Sequence, residues 1–99
     1  MGSPFVWYRH ILANFVAELN LETDQAKLSM MSERQLKQLI TENKDRFSEK
    51  EYYFNAGVAA EKTLNQTNNI GVDALNASFG GLSEFYHFID LDDKDGIPW

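Results

Sequence analysis

There is no cysteine in this chain, so neither a disulfide nor a thiolate metal site holds it together. That absence leans towards a reducing compartment, and a cytoplasmic location is the expectation. There is no apolar run long enough to cross a membrane. The most apolar stretch, PFVWYRHILANFVAEL, is broken by Arg9, His10, Asn14 and Glu18. It also lacks the basic start and small-residue cleavage site of a signal peptide, so no export and no membrane partner are expected. The two prolines stand near the ends: Pro4 suits the first turn of a helix, whereas Pro98 cannot extend one. Basic residues are few and scattered, nine in all, with no concentrated basic face in the sequence. Direct nucleic-acid binding is therefore not expected.

What the chain does have is apolar content, 43% of its 99 residues, including seven Phe. A chain of this length forms one domain and buries roughly 60–70% of its unfolded surface. Trp7, Ile11, Phe15 and Leu19 recur every four residues with Leu12 and Val16 beside them, which predicts a helix from Pro4 to Asn20. Thr23 or Asp24 caps a short second helix through Lys27, Leu28 and Met30-Met31. Ser32-Glu-Arg-Gln35 fits a capping box opening a third, with Leu36, Leu39 and Ile40 on its apolar face. Ser48-Glu-Lys-Glu51 fits another, with Phe47 and Tyr52 placed as a hydrophobic staple. The helix it opens runs to about Asn65. Tyr52, Ala56, Ala59, Ala60 and Leu64 form its inner stripe, and Gly57 with the alanines would admit a close neighbour. Val72 to Phe79 reads as a helix ended by Gly80-Gly81, and Ser83 as the cap of a last one that stops near Ile89. No run alternates as a strand does. The expected fold is all-α: a compact single-domain bundle of five or six helices over residues 1–89, with a flexible acidic C-terminal tail over 90–99.

Catalytic and metal signatures are missing. His10 and His87 each stand alone, and no GxSxG, HExxH or phosphate-binding glycine loop is present. DLDDKDG fails as a calcium loop on register. With Gly96 in sixth place, the first ligand would be Leu91, and the twelfth place lies past Trp99. No enzyme activity, cofactor or metal is expected. The aromatics at helical spacing read as core, but Tyr52, Tyr53 and Phe54 are consecutive and cannot all face one way. Tyr52 and Tyr53 are accordingly candidates for a partner-binding patch.

The C-terminal ten residues, DLDDKDGIPW, carry four acids and one base, whereas residues 1–89 carry eleven acids and eight bases. Half of the formal net charge of −6 thus sits in the last tenth of the chain. Aspartates oppose the dipole at a helix C-terminus, repel one another, and precede Gly96 and Pro98, so an extended tail is expected. Its acids would steer it towards a basic surface, and Ile97-Pro98-Trp99 would supply an apolar plug with a free carboxylate.

Asp92-Asp93-Lys94-Asp95-Gly96-Ile97-Pro98-Trp99 resembles the acidic C-terminal tip of bacterial single-stranded DNA-binding proteins. That family ends in several aspartates, then Ile or Leu, Pro and a terminal Phe, and its tip docks on replication, recombination and repair proteins. The resemblance covers about a tenth of the chain. It departs in having Trp99 for the Phe, Lys94 among the acids and Gly96 where an acid is usual. The body does not resemble that family's β-barrel. The resemblance implies a partner-binding set of Asp92, Asp93, Asp95, Ile97, Pro98 and Trp99. The partner would be a protein with a basic, apolar-floored pocket. The expected function is a small non-enzymatic adaptor or inhibitor, phage or bacterial in style, that imitates this tip. The alternative is an acidic inhibitor or nucleic-acid mimic acting through its folded surface on a host nucleic-acid-binding enzyme. A third reading buries the first helix or Tyr52 to Phe54 in an oligomer.

Overall fold

The computed structural model describes the backbone of residues 4–94 and the side chains of residues 6–89. Over that range the chain forms five helices and no strand: α1 (Pro4–Glu18), α2 (Gln25–Met30), α3 (Glu33–Asn43), α4 (Glu49–Asn68) and α5 (Val72–Lys94). A single 3-10 turn, Lys44–Arg46, joins α3 to α4. The all-α expectation is met.

Helix α1 is the centre of the packing, touching α3, α4 and α5. Its expected stripe is the core: Ile11, Leu12, Phe15, Val16 and Leu19 are all buried, joined by Tyr8. Phe15 is the pivot. Its ring meets Tyr52 of α4 edge-on at 5.1 Å and Phe85 of α5 at 5.4 Å, so one side chain ties three helices. Leu36 and Ile40 of α3 and Ile89 of α5 complete the buried cluster.

Local chemistry explains the helix ends. Helix α1 stops two residues earlier than its apolar spacing suggests, because Asn20 takes a left-handed conformation (φ 59°). The Asn20 N–H then donates to the Ala17 carbonyl and the Leu21 N–H to that of Val16, the paired bonds of a Schellman ending. Asp24, not Thr23, caps α2 by accepting from the Ala26 N–H. Helix α2 is only six residues long and leans on α1. The Arg9 guanidinium donates to the carbonyls of Leu28 (2.6 Å) and Met31 (2.9 Å), neutralising the α2 C-terminus.

The capping box at Ser32 is complete: the Gln35 N–H donates to Ser32 Oγ and the Ser32 N–H to Gln35 Oε1. At Ser48 only one arm forms, the Glu51 N–H donating to Ser48 Oγ. Helix α4 continues past Asn65 to Asn68. Its inner face is Tyr52, Ala56, Ala59, Ala60, Thr63 and Thr67, with Leu64 only half-buried. Thr63 and Thr67 fold their hydroxyls back onto the Ala59 and Leu64 carbonyls, so that they sit inside without a bare donor. Thr63 Oγ1 also accepts from Asn14 of α1 at 2.8 Å. Gly57 does not mediate close helix packing. It is exposed, and a methyl added there would meet nothing within 4 Å.

The largest departure from the sequence reading is α5. Gly80-Gly81 does not end a helix, and Ser83 does not cap a new one. Two interior glycines cost a helix roughly 1 kcal/mol each relative to alanine. Here Gly81 is buried between Ser78 and Phe85, themselves fully buried, and that packing holds the helix together. Nor does α5 stop at Ile89; it runs on to Lys94. The spacing of Asp90 and Lys94, an acid four residues before a base, favours that extension.

Candidate docking surface

The charge of the protein is divided along the chain in a way that the helices make visible. Residues 1–62 hold nine acids and eight bases, and residues 63–99 hold six acids and one base, Lys94. Within the first group, acids and bases meet. Glu33 lies 3.8 Å from Lys37 one turn on, and Lys62 of α4 pairs with Glu18 of α1. Helix α5 has no lysine or arginine before its final residue. Its acids Asp73, Glu84, Asp90, Asp92 and Asp93 therefore have no basic neighbour on the helix until Lys94.

The candidate residues read from the sequence fall in different places. Tyr52 belongs to the core, 1% exposed and packed on Phe15, so it is not a surface residue. The reason is its register: Tyr52 leads the inner face of α4 that Ala56, Ala59, Thr63 and Thr67 continue. Tyr53 is half-buried against the same cluster, and its ring meets that of Tyr52 at 5.4 Å. Of the three consecutive aromatics, Phe54 is the one in solvent, 70% exposed. Lys44 sits over the Tyr52 ring at 5.2 Å, and with Asp45, Phe47, Glu49, Tyr52 and Tyr53 it lines a shallow cavity of about 210 Å³. Asp92 and Asp93 lie on the backbone of α5, with their side chains outside the described residues; Asp95, Ile97, Pro98 and Trp99 lie outside those residues altogether.

At the C-terminal end of α5 the structure assembles a cluster that the sequence did not reveal. The Lys37 ammonium stands 5.8 Å from the ring centres of both Tyr8 and Phe88, a cation shared by two π faces. It stitches α3 to α1 and α5. Burial, then Glu33 and Glu84, push the Tyr8 phenol up to about 12. Tyr8 stays neutral in the folded protein, as the carboxylates around it require. On α1 the His10 ring lies beside that of Trp7 at 5.2 Å. Burial, helped by the Arg9 guanidinium, lowers its pKa from the usual value. Among the described residues no three acids, histidines or cysteines converge as a metal site. No helix among them is long and apolar enough to cross a membrane.

A second feature went unread in the sequence. Val72, Phe79 and Tyr86 are 72%, 52% and 41% exposed and stand seven residues apart on α5. The signal was present as a heptad spacing, but it was hidden by the assumption that Gly80-Gly81 divides the helix.

Compared with models of protein families, with curated proteins and with solved structures, the chain finds no match in any of the three. What its own coordinates define is an all-α protein of five helices organised around α1.

Proposed function

We propose that this protein is a small, non-enzymatic protein–protein interaction module, an adaptor or inhibitor, working in the cytoplasm through the acidic end of α5 and the residues beyond it. The observation that carries this reading is the distribution of charge. The body's acids are interleaved and partly paired with bases, whereas from Thr63 to Asp93 there are five acids and no base. Three of those five, Asp90, Asp92 and Asp93, fall in the last five residues of α5. Beyond α5 the sequence reads Asp95-Gly-Ile-Pro-Trp99. A partner suited to that pattern is a protein with a basic rim and an apolar floor. The aspartates attract the rim at a distance and raise the association rate, and Ile97, Pro98 and Trp99 fill the floor. The resemblance of residues 92–99 to the single-stranded DNA-binding protein tip points to a replication or repair protein as that partner.

The interleaved charges of the body favour this reading over a nucleic-acid mimic, which needs carboxylates arrayed over a folded face. The test is direct titration of a fluorescent peptide of residues 90–99 against exonuclease I. Saturable binding that weakens with added salt and disappears when Trp99 is removed supports the proposal. Binding that does not saturate, or that is indifferent to Trp99, overturns it.

A further inference from the structure

We infer that the cleft between α1, α2 and α4 binds a small carboxylate that also carries a hydroxyl, with Arg9 and His10 taking the carboxylate and Asn14 accepting from the hydroxyl. Neither the tail nor the acidic end of α5 takes part. A cavity of about 190 Å³ lies there, and its polar lining comes from three helices: Arg9, His10 and Asn14 of α1, Gln25 and Ser29 of α2, and Gln66 of α4. Ala13 and Leu28 complete the wall. No aspartate or glutamate lines it, although the chain carries 15 of them. Glu18, the one acid of α1, is held by Lys62 of α4.

The bonds already made decide what each group has left to offer. Thr63 Oγ1 donates its proton to the Ala59 carbonyl at 2.9 Å, so towards Asn14 it only accepts. That fixes the Asn14 amide with Nδ2 on Thr63 and leaves Oδ1 as an acceptor. Arg9 commits Nε and Nη2 to the carbonyls of Met31 and Leu28, which locks the guanidinium plane and leaves Nη1 as a donor. Ser29 Oγ donates to the Ala26 carbonyl, so it too has only acceptor capacity left. The side chains of His10, Gln25 and Gln66 are exposed and bond to no described residue.

Charge selects the ligand. Burial, and then the Arg9 guanidinium, lower the His10 pKa, and no carboxylate offsets them. From α2 and α4 only Gln25, Leu28, Ser29 and Gln66 share the cavity with His10, and none of them titrates. An anion is therefore welcome beside Arg9, and more so when His10 carries its proton. Arg9 repels an ammonium, so the partner of the Asn14 acceptor is a hydroxyl rather than an amine. The cavity is smaller than the roughly 300–1,000 Å³ of sites for drug-sized molecules, which limits the ligand to a few heavy atoms. Such a ligand bridges α1, α2 and α4. It braces α2, which otherwise rests on buried Leu28 and the two Arg9 bonds.

The experiment is NMR titration of the full chain at about pH 5.5 with glycolate, and with acetate and ethylene glycol as probes that each lack one group. Glycolate should move the His10 ring signals and the Gln25 and Gln66 side-chain amides saturably, with a dissociation constant of about 1–20 mM for so small a ligand. Acetate should bind at least about threefold more weakly, and ethylene glycol should leave His10 unmoved. His87, exposed and alone on α5, is the control and should not shift. Affinity for glycolate should fall as pH is raised from about 5.5 to about 8, as His10 loses its proton. Saturation should slow amide exchange over Lys27 to Met31. Gln66→Leu, at an exposed position, should weaken glycolate at least about fivefold with the circular dichroism unchanged. Arg9 is left intact because it holds α2 in place. An unmoved His10, equal shifts at His10 and His87, acetate binding as tightly as glycolate, or affinity indifferent to Gln66→Leu each overturns the inference. The first leaves the cavity to water, the second reduces the effect to ionic strength, the third removes the hydroxyl from the ligand, and the fourth puts the ligand elsewhere.

Discussion

Phe15→Ala is the perturbation that tests the packing most severely. Phe15 is fully buried, and its ring is the shared neighbour of Tyr52 and Phe85, so truncation opens a hole where α1, α4 and α5 meet. Removing a buried phenyl ring costs about 3–5 kcal/mol, combining lost transfer energy with the residual cavity. Part of that is the two edge-to-face contacts, each worth about 0.5–1.5 kcal/mol beyond area alone. A domain of this size has about 5–15 kcal/mol in total, so the variant should retain a folded state only marginally. Urea unfolding followed by far-ultraviolet circular dichroism is the assay. With a slope of about 1.5 kcal/mol per molar, the midpoint should fall by about 2–3 M. Phe15→Leu, which keeps most of the volume, should lose only about 1–1.5 kcal/mol. Met30→Ala, at a residue 84% exposed, should stay within about 0.5 kcal/mol of the parent. A loss below about 1 kcal/mol for Phe15→Ala with an unchanged slope would refute the placement of α1 at the centre.

Other outcomes follow from single contacts. Gly57→Ala should stabilise by about 0.5–1 kcal/mol in the same assay, since Gly57 is helical, exposed and has open space where the methyl would go. Ser32→Ala should cost about 1 kcal/mol by removing one arm of the capping box. Arg9→Met should loosen α2 selectively, seen as faster amide exchange over Lys27 to Met31 with α4 unchanged, because both guanidinium bonds end on α2 and the residue that follows it. Stability should be flat in mild alkali and fall as pH rises from about 10 to about 12. Over that range the unfolded chain loses the Tyr8 proton while the folded chain keeps it. Tyr8→Phe should remove that part of the slope. At the acid end His10 acts in the opposite direction. Its folded pKa is depressed, so its contribution is present above the ordinary histidine range and is lost as pH falls through the folded value.

Much of the fold was legible because local signals agreed with burial. The four-residue recurrence of Trp7, Ile11, Phe15 and Leu19 and the Ser32–Gln35 box each named an element that the structure contains. The misreadings share a cause: a residue's intrinsic preference was taken as decisive where its neighbours decide. Gly80-Gly81 looks like a stop, yet the packing around Gly81 carries α5 through it. Gly57 looks like a close-packing site beside three alanines, yet its register turns it to solvent. Asn20 carries the true end of α1, a backbone effect that no apolar spacing reveals. For the candidate site, the seven-residue spacing of Val72, Phe79 and Tyr86 was in the sequence. Whether such a stripe faces core or solvent depends on which side of α5 the body covers, and that is a tertiary fact. Tyr52 was misassigned for the same reason, since adjacent tyrosines cannot be sorted into inside and outside without the helix partners.

The most direct test of the interaction reading compares the full chain with a chain ending at Ile89, both titrated into exonuclease I by isothermal calorimetry at low and high salt. The account predicts saturable, salt-weakened binding by the full chain and none by the shortened one, with the helical content over residues 4–89 preserved in both. Equal heats from the two proteins, or no heat from the full chain, would contradict it.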